Sequence, residues 1–209
     1  MSNYDYDLFI SYRRVGDAQG WIRDYLVPSL TTALGHELEN PPRIFVDYEI
    51  DTGADWPSRL GDALGKSRVL LCLWSKQYLN KEWCARELAA MRAREQSLSL
   101  RTPANPSGCV AISIIHDGHT LPDDLGTCQR LELERYFNPY LSEKSLARER
   151  MHEEIKRAAI GLSDMIENAP PFQAKWPGDT AQSFFDAYFD RNAPRQSTPP
   201  CYTELEGRP

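Results

Sequence analysis

Trp83 and Glu87 stand four residues apart, just after an apolar run that ends at Trp74. On a helix that spacing puts an indole and a carboxylate on one face. A helical glutamate usually gains from a cation one turn away. Here the residues four positions before and after Glu87 are Trp83 and Met91, while Glu82 and Arg86 form the ordinary pair. Residue types alone leave two readings for Glu87: a solvated side chain, or a carboxylate turned toward a ligand where it can stabilise positive charge or bond hydroxyl groups. Ser11, Tyr12, Arg13 and Arg14 end the first apolar run. Two arginines at such a place either hold phosphate oxygens in bidentate fashion or form a solvated loop pair.

An alternation of strands and helices must position these groups. Tyr6–Tyr12 reads as a first, central strand. Trp21, Ile22, Tyr25, Leu26, Leu30, Ala33 and Leu34 mark a helix that starts at Ala18, is kinked by Pro28 and stops at Gly35. Arg43–Asp47 is a second strand, with Asp47 placed to brace the loop after it, and Pro57 opens a helix reaching Gly65. Arg68–Trp74 is apolar nearly throughout, as in a strand covered on both faces. A helix from Glu82 or Trp83 to Ser97 buries Cys84, Leu88 and Met91, and Arg92, Arg94 and Glu95 are a charged helix end that needs no function. Cys109–His116 and Gln129–Glu134 are the fourth and fifth strands. Leu146, Met151, Ile155, Ala159, Leu162 and Ile166 mark a long amphipathic helix between Ser142 and Glu167.

This order implies an α/β domain with a five-stranded parallel sheet and helices on both faces. Such sheets bind ligands beyond the carboxyl ends of their strands, where Ser11–Arg14 and Trp83–Glu87 fall. After Ala169 the composition shifts, with Pro170, Pro171 and Pro177 preceding the aromatics Phe184, Phe185, Tyr188 and Phe189. The expected division is a domain over 1–168, an extension over 169–194 that packs on it, and a disordered tail over 195–209.

The net charge of −6 and pI near 5.3 argue against non-specific binding to nucleic acid or anionic membrane. No apolar run approaches the ~20 residues that span a bilayer, and Met1–Asp5 does not read as a signal peptide. Five cysteines, an odd number without a C-x-x-C pair, point to a reducing, cytoplasmic setting. His116 and His119 have no third ligand at a metal-site spacing, so no metal is expected. The glycine patterns of dinucleotide cradles and P-loops are missing after the first strand, as is a nucleophile elbow. Asp5 and Asp7 come too early to be the acidic pair of a phosphoacceptor domain.

Four segments in order resemble the signatures of Toll/interleukin-1 receptor (TIR) domains: Asp7–Tyr12; Phe45–Gly53 with Trp56; Ser67–Ser75 with Tyr78 and Trp83–Glu87; and Leu121–Leu125. The resemblance covers about residues 4–168, and its general style is that of bacterial TIR proteins. It implies a flavodoxin-like fold and, as in many members, NAD+ glycohydrolase activity. In those enzymes the catalytic glutamate follows a tryptophan by four residues, as Glu87 follows Trp83. Glu87 is then the expected catalytic residue. Ser11, Tyr12, Arg13, Arg14, Asp51, Gly53 and Trp83 are the expected substrate-binding residues, with NAD+ as substrate and no separate cofactor. The loop after the second strand (the BB loop, 48–56) is expected to meet another TIR domain in self-association. A role in bacterial antiviral defence or signalling goes with that reading. A second part of the family is non-catalytic and acts only as an adaptor.

Overall fold

Strand β1, Tyr6–Tyr12, sends Leu8, Ile10 and Tyr12 to one side of the sheet and Phe9 and Ser11 to the other. The structure, a computed structural model, describes residues 4–47, 56–116, 120–142, 144–173 and 178–189. β1 pairs in parallel with β2, Ile44–Val46, on one side and with β3, Ser67–Trp74, on the other. Beyond β3 lie β4, Val110–Ile114, and β5, Gln129–Glu132, again parallel. The order β2-β1-β3-β4-β5 is the flavodoxin-like one expected from the sequence. The chain leaves β1 toward β2 and returns on the other side to β3, so the switch point lies between β1 and β3.

One helical layer is α1, Ala18–Trp21, a π-helical turn Ile22–Leu26, and α2, Val27–Glu37, with α5, Leu146–Glu167, beside it. Pro28 cannot donate to the helical ladder, and the π turn immediately before it absorbs the lost bond. The helix does not stop at Gly35. It runs to Glu37, where Leu38 turns extended ahead of Pro41 and Pro42.

The other layer is α3, Trp56–Gly65, α4, Glu82–Ser97, and α6, Gly178–Tyr188. The connection from β4 to β5 has no crossover helix among the described residues, only a 3-10 turn at Asp123–Leu125. α6 packs along α4 and reaches that turn, where the Tyr188 hydroxyl donates to the Asp124 carboxylate. Phe185 and Tyr188 are buried there beside Leu121 and Leu125, and Arg86 lies over the Phe185 ring at 4.4 Å. α6 thus covers the flank that a β4–β5 helix would ordinarily cover. On the way to it, Pro170 accepts from the Tyr4 hydroxyl at 2.9 Å and Phe172 packs edge-on to the Tyr4 ring. Residues 190–209, including the expected tail, lie outside the described residues.

The charged end of α4 is buried and has a structural role. Arg94 and Glu95 are each 1 % exposed. Arg94 donates to the Ser67 carbonyl at 2.8 Å and to the Tyr4 hydroxyl. Glu95 accepts from the backbone N–H groups of Cys109 at 2.7 Å and Val110 at 3.0 Å, and pairs with Arg92 and Arg101. It ties helix, loop and β4 together where no helix–strand ladder can do so.

Candidate functional site

Ser11, the last residue of β1 on the α4 side, is buried, and its hydroxyl bonds the Tyr78 hydroxyl at 2.5 Å. It also lies within hydrogen-bonding reach of the Glu87 carboxyl. Glu87 occupies the second turn of α4, where the helix crosses the carboxyl ends of β1 and β3. Its side chain is turned inward, and the residue is only 6 % exposed. Among the described residues it has no ion pair. Burial pushes its carboxyl up to about 8; the nearby Asp47 charge raises it further, while the Ser11 hydroxyl and Arg14 pull the other way. At neutral pH that shift keeps Glu87 mostly a neutral acid.

Asp47, just past β2, completes the acidic side. Burial also raises this carboxyl, against the opposing charge of Arg14. Arg14 reaches across from β1, donating to the Asp47 backbone oxygen at 2.7 Å with its Nε 3.3 Å from Oδ2. The Tyr12 phenol is held protonated by burial and by the Asp47 charge. Tyr12 Oη and Asp47 Oδ1 are buried without a well-formed hydrogen bond among the described residues. The two groups nonetheless lie close enough to interact, and each shifts the other's titration.

The fold therefore brings Glu87, Ser11 and Arg14 near one another, while Tyr12 leaves β1 on the other face of the sheet and reaches the group only through Asp47 and Arg14. Trp83 stands one turn before Glu87 and is 37 % exposed, offering an aromatic surface at the rim. Arg13 diverges from Arg14: it donates to Gln77 and lines a separate cavity of about 290 Å³ with Leu73, Lys76, Ile115 and His116. Asp51 and Gly53, with most of the 48–56 loop, lie outside the described residues.

Sequence reasoning missed two contributors. Asp47 read as a loop brace, and only its approach to Arg14 and Glu87 makes it part of the site. Tyr78 sits in the connection between β3 and α4, is fully buried, stacks on Trp74 with ring centres 5.0 Å apart, and holds Ser11. Neither follows a spacing rule; each is brought in by the parallel register. Cys72 and Cys84, also buried here, have thiols pushed up by burial and are inert as nucleophiles. No group of metal-ligating side chains occurs among the described residues.

No curated protein matches the chain. One similar solved structure is that of the TIR domains of the activated Roq1 resistosome directly recognizing the pathogen effector XopQ. It is 18% identical, with 88% of this chain and 100% of that chain covered, at a TM-score of 0.34. Residues 8–104, from β1 through α4 into the loop beyond it and so including Ser11, Asp47 and Glu87, match the family model described as TIR domain.

Proposed function

We propose that the chain is a bacterial-type TIR domain that cleaves NAD+ at the nicotinamide–ribose bond. The observation that carries this reading is the unpaired, buried Glu87 carboxyl at the switch point of the sheet, next to Ser11 and the Arg14–Asp47 pair. The family match over residues 8–104 supports it.

The chemistry follows from charge. Nicotinamide in NAD+ is cationic and a good leaving group, so bond breaking needs no strong general acid. It needs an anion facing the oxocarbenium-like sugar. The arriving pyridinium favours ionisation of the raised Glu87, and that charge then faces the ribose as the bond lengthens. Ser11 donates to the carboxylate and holds it in place. Arg14 and, from the neighbouring cavity, Arg13 are suited to the diphosphate, and Trp83 offers a face to a ring or sugar. Water attack gives ADP-ribose; attack by a nucleophile of the same molecule gives a cyclic product.

The unpaired thiols of the four described cysteines agree with a reducing, cytoplasmic setting, and self-association through the 48–56 loop belongs to the same reading. A non-catalytic adaptor is the second reading. The deep burial of Glu87 favours it, because a closed-off carboxyl is also what a purely structural residue shows. Incubating the purified protein and Glu87→Ala with NAD+ and following nicotinamide by chromatography separates the two. Release by the wild type and at least ~100-fold less by the variant is expected. Equal release by both, or none by the wild type at any concentration, refutes the enzymatic assignment.

A further inference from the structure

A second concave site lies on the opposite layer from α4. A cavity of about 410 Å³ opens between α2 and the start of α5, bounded by Ser29, Thr32, Lys144, Arg148, Glu149 and His152. Arg148 and His152 share one face of α5, and Lys144 stands just before the helix cap, Ser145. One acid, Glu149, stands among them. In a chain of net charge −6 this is a local reversal of sign.

Glu149 apart, the cavity's hydrogen-bonding inventory favours donors. Ser145 caps α5, donating to the Ser142 carbonyl at 2.8 Å and accepting from Arg148 N at 3.3 Å. Thr32 donates to the Pro28 carbonyl at 2.9 Å. Neither hydroxyl proton is available. Ser29 differs: it is 8 % exposed, lines the cavity, and its hydroxyl makes no hydrogen bond among the described residues. The N–H groups of Leu146 and Ala147, in the first turn of α5, have no acceptor among the described residues either. The Arg148 guanidinium lies over the Tyr25 ring at 5.0 Å, so it is held in place before any ligand arrives.

We infer that this cavity binds the phosphate group of a small soluble phosphate ester. Phosphate oxygens accept, and apart from the Glu149 carboxylate the groups left without a partner here donate: an ammonium, a guanidinium suited to bidentate contact, the Ser29 hydroxyl and two backbone N–H groups at a helix start. The volume exceeds the ~30 Å³ of one water many times over and leaves room for the rest of an ester. The site is independent of Glu87 and of the activity proposed there.

Calorimetric titration of the full chain with inorganic phosphate and with glucose 6-phosphate tests it, with sodium chloride at matched ionic strength as control. Saturable binding of both phosphates is expected, weakened at least tenfold in Lys144→Glu/Arg148→Glu and several-fold in Ser29→Ala. Thermal melts check that both variants fold, and the alanine variant carries the test if the charge reversal does not. Unchanged affinity in the folded variants, or an equal response to chloride, overturns the site. Phosphatidylcholine vesicles with and without phosphatidic acid separate the phosphate sources. Recruitment by phosphatidic acid that is lost in the same variants would overturn the soluble ester in favour of a lipid headgroup.

Discussion

Arg14 grips Asp47 at two points, its backbone oxygen at 2.7 Å and its carboxylate at 3.3 Å, and so joins the ends of β1 and β2 beside Glu87. Removing the guanidinium in Arg14→Ala leaves a buried acid without its counter-charge. The arginine side chain is 37% exposed, so the stability loss is held to about 1 kcal/mol by solvent screening. The expected effect on catalysis is larger, about tenfold in kcat/KM, on the scale of one lost charged hydrogen bond. Urea unfolding and nicotinamide release measure the two separately. An unchanged rate would remove Arg14 from the site.

The raised Glu87 carboxyl sets a pH profile. For free enzyme and substrate, kcat/KM should climb as pH rises toward about 8 and level off above it, because only the ionised form faces the sugar. In the bound complex the cationic ring favours ionisation, so the climb in kcat should fall at lower pH. A kcat/KM profile flat between pH 6 and 9 would show that Glu87 does not titrate in the reaction.

The same group makes a stability prediction of definite sign. Its folded value, about 8, lies above the unfolded model value of 4.5. Below the unfolded value the acid is neutral in both states and its burial carries no ionisation penalty. Between the two values the unfolded chain ionises and the folded one does not, so wild-type stability falls as pH rises until the folded group also titrates. Glu87→Gln cannot ionise. Its melting temperature should therefore gain on the wild type steadily from pH 5 to pH 8. A constant difference over that window would contradict the buried, neutral acid.

Glu95 should behave oppositely to Glu87 in mutagenesis. It accepts from two backbone N–H groups and pairs with Arg92 and Arg101, all away from the candidate site. Glu95→Ala strands these donors in a dry interior and should cost roughly 3–5 kcal/mol. NAD+ cleavage per folded molecule should be unchanged. Denaturant titration with activity corrected for the folded fraction separates a stability hub from a site residue.

The legible part of the fold was what periodicity encodes. β1 begins and ends where alternation predicts, and α4 buries Cys84, Leu88 and Met91 as its spacing requires. Glu87 stood out because no partner sat one turn away. What stayed hidden depends on distant register. Asp47 joins Glu87 only because β2 lies beside β1, and Tyr78 only because its loop folds under α4. Arg94 and Glu95 look like surface charges until the carbonyl, phenol and backbone N–H groups that satisfy them are in place. Gly35 failed as a helix stop because glycine terminates a helix only where the chain turns left-handed, and that turn is not made there.

The borrowed position of α6 bears on how the protein comes into being. All five strands leave the ribosome before the segment that shields Leu121, Leu125 and the outer face of α4. Until α6 docks, the nascent chain carries an oily trench beside a nearly finished sheet. Its most aggregation-prone interval lies between the emergence of β5 and that of α6, and a chaperone would be needed most then.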